Sequence, residues 1–447
     1  MGSMRVLLIQ PFEGSASALR IPFRPLSLEL LAAYLDGHEV DIFDMRVDET
    51  PLPEKLSRFQ PDLVGITCSM TCAVPSTRRL IAELKALRPT TPIVVGGVHV
   101  SLLPEDVARA GADVIVKGPG ETALPAILAA LEEGRPLDQV PSLYLRRGER
   151  LAYTGDAEQP YRLDGFRHPA RALTNKYRDR YPRSPTGQAT SLTITSRGCP
   201  HRCSFCAAWK VQGGKYVMRD VADIVREIQG TEEELIYFFD DNSFVNVRHM
   251  MELARRLKEE RVEKAYQLWA SADLIASHEE LLQAWAEVGL QRVFVGFESC
   301  RDVQLEQYHK RASVALNERA HELLRKHHVD LSPTFIVRHD YTAADFDELH
   351  DYLVRYQFTM PYPLIYTPLP GTDLFELHRH ELITDDYECF DLFHLTLQPQ
   401  RLSTGEFMRR FTGLYLDNPS WRGVAARAPF GQKLLDGIAQ LRAVYPE

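Results

Sequence analysis

Residues 191–206 read SLTITSRGCPHRCSFC. The first five form a strand-type run, and the last eight hold three cysteines, Cys199, Cys203 and Cys206. The whole chain of 447 residues has seven cysteines, too few for a disulfide scaffold. Their crowding points to metal binding in a reducing compartment, the cytoplasm by default. Thiolates are the usual ligands of iron–sulfur clusters. Three of them on one short loop can hold three irons of a four-iron cluster and leave the fourth iron open to a further ligand. Zinc is the competing reading, but it normally takes four ligands in paired short spacings. The one extra donor here, His201, lies between Cys199 and Cys203 with only one residue on either side.

Outward from that loop, βα units repeat. Strands are expected at Ser191–Thr195, Leu235–Phe239, Tyr266–Ala270, Arg292–Phe297, Ser332–Val337 and Leu364–Thr367. Helices are expected between them, near Val221–Gln229, Val247–Glu259, His278–Val288, Leu316–His327 and Ala343–Tyr356. The pattern suits a partial (βα)6 barrel over residues 189–385, with its chemistry at the carboxyl ends of the strands. Residues 386–447 read as a mainly helical C-terminal region. Upstream, residues 4–145 alternate short apolar strands (Arg5–Gln10, Glu39–Phe43, Asp62–Thr67, Ile93–Gly97, Val114–Lys117) with amphipathic helices. That alternation predicts a doubly wound, Rossmann-like α/β domain with its ligand at the strand ends. Residues 146–188, rich in Arg, Tyr, Pro and Gly, read as a linker bordered by one hairpin, Ser142–Arg146 with Arg150–Tyr153. A formal charge of −9 argues against a nucleic-acid surface. No apolar run approaches the roughly 18–20 residues that span a bilayer.

The spacing Cys-x-x-x-Cys-x-x-Cys, with Phe205 before the last cysteine and a barrel strand before the loop, resembles the signature of the radical S-adenosylmethionine (SAM) superfamily. The resemblance implies a [4Fe-4S] cluster on Cys199, Cys203 and Cys206, and SAM chelated to its open iron. It also places Phe205 against the adenine. Asp240 and Asp241, at the end of the second barrel strand, would lie near the methionyl amine or the substrate. Glu298, ending the fourth, would supply a SAM-binding carboxylate, and Lys310 with Arg311 would meet the SAM carboxylate. Helix caps or surface charges are the plain alternative for each of these.

Beside such a barrel, the first domain resembles the cobalamin-binding domain of cobalamin-dependent radical SAM enzymes. Three loops carry the likeness: Thr67-Cys68-Ser69-Met70-Thr71, Val95-Gly96-Gly97-Val98-His99 and Gly118-Pro119-Gly120-Glu121-Thr122. Ser69, Thr71, Gly96, Gly97, His99, Gly118, Gly120 and Glu121 are thereby expected around the cobalamin tail, the glycines letting it lie against the backbone. The Asp-x-His-x-x-Gly motif that supplies a lower axial histidine is absent. The loop after the first strand, Pro11–Arg20, holds no histidine, so cobalt is expected to face Met70, Glu13, water or no group. A domain that only supports the barrel is the alternative. Cys68 and Cys72 read as packing residues. His327-His328 and His378-x-His380 receive no role.

Downstream, Thr367-Pro368-Leu369-Pro370-Gly371-Thr372 resembles the turn that closes the barrel in this subfamily. Where many relatives carry Gly-x-Pro-x-Glu-Thr, this chain reads Val337-Arg338-His339-Asp340-Tyr341-Thr342. The combined pattern is similar to the branch containing hopanoid C-3 methylases. It implies a methyltransferase acting on an unactivated carbon of a lipid or natural-product intermediate through a deoxyadenosyl radical and methylcobalamin. An external one-electron donor of flavodoxin or ferredoxin type is implied too. A non-methylating radical reaction (cyclisation, rearrangement or C–C coupling) is the competing outcome. A cobalamin carrier or redox sensor fits poorly with an open iron.

Overall fold

The structure is a computed structural model that describes residues 3–12, 22–157, 162–163 and 165–445. Its first sheet holds β1 (Arg5–Gln10), β2 (Glu39–Asp44), β3 (Leu63–Thr67), β4 (Ile93–Gly96), β5 (Val114–Val116), β6 (Leu143–Arg147) and β7 (Arg150–Tyr153) in the order β2-β1-β3-β4-β5-β6-β7. The first five strands run parallel. Their continuous Val, Leu and Ile runs are buried because helices cover both faces. The order reverses between β1 and β3, and a doubly wound sheet opens a ligand crevice at such a point. The expected hairpin forms, but it extends this sheet through antiparallel β6 and β7 instead of standing apart in the connecting segment. Two short helices escaped the sequence reading, Leu52–Phe59 and Val98–Leu102. Each is under nine residues, too short to display a helical period.

The second sheet is parallel throughout and follows chain order: β8 (Thr190–Thr193), β11 (Leu235–Phe238), β12 (Ala265–Trp269), β13 (Leu290–Glu298), β14 (Asp330–Val337) and β15 (Tyr362–Ile365). Between the first two of these, β9 (Ser196–Arg197) pairs antiparallel with β10 (Val217–Met218) and flanks the cysteine loop. β8 and β15 do not pair, so the barrel is open, as the six-unit reading predicts. Its core is aromatic and aliphatic, with Phe238, Tyr266, Trp285, Phe297 and Phe335 fully buried. The C-terminal helices Thr404–Leu416, Pro419–Ala425 and Pro429–Val444 cover the β15 edge. Trp421 donates its indole N–H to the Pro361 carbonyl at 2.6 Å, and Pro363 sits within β15, where an edge strand tolerates proline.

The two sheets are welded by buried ions. Arg24, before the first helix, binds Glu29 and reaches across to Glu233 ahead of β11, both at 3.0 Å. Removing one partner would strand a buried charge, at a cost of about 3–5 kcal/mol. No helix among the described residues is long and apolar enough to cross a membrane.

Candidate active site

The cysteine loop leaves β9 at the barrel mouth, and its backbone is fixed before any cofactor arrives. Gly198 has φ 87°, and a Cβ there would collide with the Lys215 carbonyl, so only glycine fits. The Gly198 N–H donates to Asp241 Oδ2 at 2.8 Å. The Cys206 N–H donates to the Cys203 carbonyl at 3.1 Å, closing a tight turn. Ser204 ties the loop to two other elements, donating its N–H to the Tyr308 carbonyl and accepting from Leu374 N–H.

All three cysteines are free thiols. Burial pushes the Cys203 thiol up to about 11, with the Lys310 ammonium pulling the other way, and raises Cys199 and Cys206 for the same reason. Soft donors held out of water and released as thiolates by metal suit an iron–sulfur cluster. Among the described residues, the three sulfurs do not gather within 4.8 Å of one another. A single tetrahedral zinc ion would demand that they did.

Around them several of the residues expected near SAM lie close to one another. Glu298 ends β13 at φ 61°, beside a register shift in the β13–β14 pairing. Its Oε1 accepts from Lys310 Nζ at 2.9 Å, and both groups are largely buried. Gly296 leaves the space: a side chain there would strike both partners. Burial opposes the Lys310 charge, but the Glu298 carboxylate and the neighbouring Cys203 outweigh it and raise the ammonium above its usual range. Lys310 Nζ stands 5.9 Å from the Phe205 ring, which packs edge-on against Tyr308. Arg311 is exposed and bears on His201, not on this pair.

Asp240 departs from the expectation. It is buried, and its oxygens accept from Thr195 N–H at 2.7 Å, Thr195 Oγ1 at 2.6 Å and Ser196 N–H at 3.1 Å. A carboxylate so engaged positions the strand that feeds the cysteine loop. Asp241 points the other way, toward the loop.

In the first domain, a slot of about 230 Å³ opens at the sheet's switch point. Ser69, Gly96, Gly97, Gly118, Gly120 and Glu121, all expected around a cobalamin tail, line it together with Thr67. Gly97 has φ 127°, and a Cβ would lie 2.6 Å from the Cys68 carbonyl carbon. Ser101, which sequence reasoning missed, ties two of the glycine loops together. It donates to the Gly97 carbonyl at 2.8 Å and accepts from Gly118 N–H at 3.0 Å. A serine four residues past Gly97, one helical turn on, was the available signal.

Thr71 and His99 are corrections. Neither lines the slot. Thr71 Oγ1 meets His99 Nδ1 at 3.1 Å, and His99 Nε2 meets Asp106 Oδ2 at 2.9 Å, in a buried network that also takes Arg78 and packs on Tyr387. The pair therefore fastens the C-terminal segment to the first domain. His99→Ala is expected to cost about 1–3 kcal/mol of stability, read as a lower Tm, with cobalamin retention unchanged. Burial opposes the Asp106 charge, yet His99 and Arg78 hold its carboxyl below the usual range. Its contribution is thus present above the ordinary carboxylate pKa and lost as pH falls through the lowered folded value.

The slot's far wall comes from the barrel: Arg197, Val211 and Gln212. Arg197, next to the cysteine loop, forms a largely buried ion pair with Glu121. The Thr367–Thr372 turn adds another seam, because Gly371 (φ 85°) lies where a Cβ would be 2.8 Å from Leu102 Cδ1. Glycine-lined walls, a small hydroxyl and an open face fit the tail of a large planar cofactor. No histidine lines the slot among the described residues, and His99 is committed elsewhere. Met70 is partly exposed after β3, whereas Glu13 and most of the Pro11–Arg20 loop lie outside the described residues. Cys68 and Cys72 are buried, as packing residues should be.

Comparison with known proteins agrees with this arrangement. A B12 binding domain model matches residues 19–128, and a Radical SAM superfamily model matches residues 193–353. The hopanoid C-3 methylase of Methylococcus capsulatus is 28% identical over 417 residues, covering 90% of this chain and 78% of that protein. The anaerobic magnesium-protoporphyrin IX monomethyl ester cyclase of Rubrivivax gelatinosus is 25% identical over 430 residues, covering 92% and 77%. The fold matches the radical SAM methyltransferase TsrM from Kitasatospora setae, solved with cobalamin and a [4Fe-4S] cluster, at TM-score 0.75 and 19% identity over 99% of this chain and 100% of that one. The chain joins a B12 binding domain to a Radical SAM superfamily domain, and the cofactors that go with these two domains are cobalamin, a [4Fe-4S] cluster and SAM.

Proposed function

We propose that this enzyme is a cobalamin-dependent methyltransferase that places a methyl group on an unactivated carbon of a lipid or natural-product intermediate. One observation carries the reading: the cobalamin slot and the cluster loop share a wall, with Arg197 paired to Glu121 on one side and continuing into Gly198 and Cys199 on the other. When bound, the cluster with SAM supplies a hydrogen-abstracting radical and cobalamin supplies the methyl group. The protein's part is to hold them against a shared cavity and exclude water. The Glu298–Lys310 pair offers complementary charges to the amine and carboxylate of SAM, and Phe205 offers a face to its adenine. Asp241 holds the loop that sets the third side of this pocket. The substrate is a small molecule or lipid, and electrons arrive from a flavodoxin- or ferredoxin-type donor.

Glu298→Gln should leave Lys310 buried without its counter-charge, weakening SAM binding about tenfold or more while cluster absorbance stays intact; titration of SAM by equilibrium dialysis reads it. Asp241→Ala should instead lower cluster content, because it frees Gly198.

A second reading has its own support, since the relatives of comparable coverage include a cyclase. Anaerobic incubation with SAM and a low-potential reductant separates the two. A methyltransferase makes S-adenosylhomocysteine only with cobalamin and deoxyadenosine alongside it. Deoxyadenosine without cobalamin-dependent S-adenosylhomocysteine would favour the non-methylating reaction.

A further inference from the structure

Behind the SAM pocket, three side chains from two separate elements converge. His339 follows β14, while His378 and Glu381 follow the Thr367–Thr372 turn. One donor atom from each lies within 4.8 Å of the other two. His339 is 4% exposed, and its ring stands 5.5 Å from that of His378.

The pattern of hydrogen bonds divides the four imidazole nitrogens sharply. Both Nε2 atoms have neighbours: His378 Nε2 meets Tyr366 Oη at 3.0 Å, and His339 Nε2 lies 3.2 Å from the Gln400 side-chain amide, whose oxygen accepts from the ring N–H once the amide is turned over. Both Nδ1 atoms are buried with no aligned hydrogen-bond partner among the described residues. Glu381 Oε1 lies 3.3 Å from His378 Nδ1. That leaves His339 Nδ1 with no partner among the described residues, and a buried polar nitrogen without one costs about 1–3 kcal/mol and needs a reason. Metal-ligating histidines show this division, one nitrogen free for the ion and the other held by an outer partner. Two imidazoles and one carboxylate make the donor set of an open zinc site, whose fourth position takes water.

We propose that His339, His378 and Glu381 bind a divalent first-row transition ion, zinc being the reference occupant, with Tyr366 and Gln400 as the outer partners. The ion pins the segment after the barrel-closing turn to the end of β14. Tyr366 packs 6.3 Å from Tyr308, which in turn packs on Phe205, so this pin braces the wall behind the adenine position.

The test uses the full chain with its cluster already assembled, so that the loop cysteines are occupied, dialysed anaerobically against zinc(II). Metal analysis should give about one zinc per chain beside an unchanged iron content. His378→Ala and Glu381→Gln should each weaken zinc binding at least about 100-fold, and Tyr366→Phe about tenfold, all with iron unaltered. Glu381 is exposed, so its isosteric amide leaves folding intact. Cobalt(II) in place of zinc should show tetrahedral d–d bands without thiolate charge transfer. Failure to retain zinc, equal retention in His378→Ala and Glu381→Gln, or a thiolate-bearing cobalt spectrum would each overturn the proposal.

Discussion

Replacing Cys199, Cys203 and Cys206 together by alanine is expected to take anaerobically reconstituted protein from about four irons per chain to none, and to abolish deoxyadenosine formation from SAM. The effect should be this complete because, among the described residues, the loop offers no fourth thiol to take over. Cys68 and Cys72 are fully buried in the first domain's core. The loop itself should survive. Its conformation rests on Gly198, Asp241 and the two Ser204 backbone bonds, none of which involves a cysteine side chain. Circular dichroism and Tm should therefore stay near those of the parent stripped of iron. A triple variant that keeps a full cluster, or a parent that fills with zinc instead of iron, would remove the foundation of the assignment.

Gly96→Leu should prevent cobalamin retention, lowering it at least about tenfold, while cluster iron and SAM binding persist. Gly97 is a less informative choice, because its φ of 127° and the Cys68 backbone 2.6 Å away mean that any side chain strains the fold itself. Gly96 has ordinary backbone angles, and a Cβ there would meet only Val116 at 3.8 Å. The added leucine side chain would project into a slot of about 230 Å³ without disturbing the sheet. If Gly96→Leu retains cobalamin as the parent does, the slot is not where it binds.

Much of this site was legible because single segments carried it. The cysteine loop and the glycine turns are contiguous, and their chemistry follows from spacing. The β13 end was readable for a similar reason, an apolar run closed by one carboxylate, Glu298. Sequence failed where the answer lies in which way a side chain turns. Asp240 and Asp241 are adjacent, yet successive residues past a strand end face opposite sides, so one holds the β8–β9 connection at Thr195 and Ser196 and the other holds the loop at Gly198. Thr71 and His99 sit in the correct loops but pair with each other, and His99 turns to Asp106 and to Tyr387 far along the chain. His339 and His378 are 39 positions apart and meet only because β14 and β15 are neighbours in the sheet. No local pattern announces a partner supplied by tertiary structure.

On the proposed function, one chain holds cobalamin beside its cluster, in a slot whose described residues offer cobalt no imidazole. The direct measurement is the absorption spectrum of protein loaded with hydroxocobalamin and passed through gel filtration. Near one equivalent should be retained, with a base-off spectrum lacking nitrogen ligation from the protein. Loss of all cobalamin on the column, or a spectrum with histidine bound to cobalt, would contradict it.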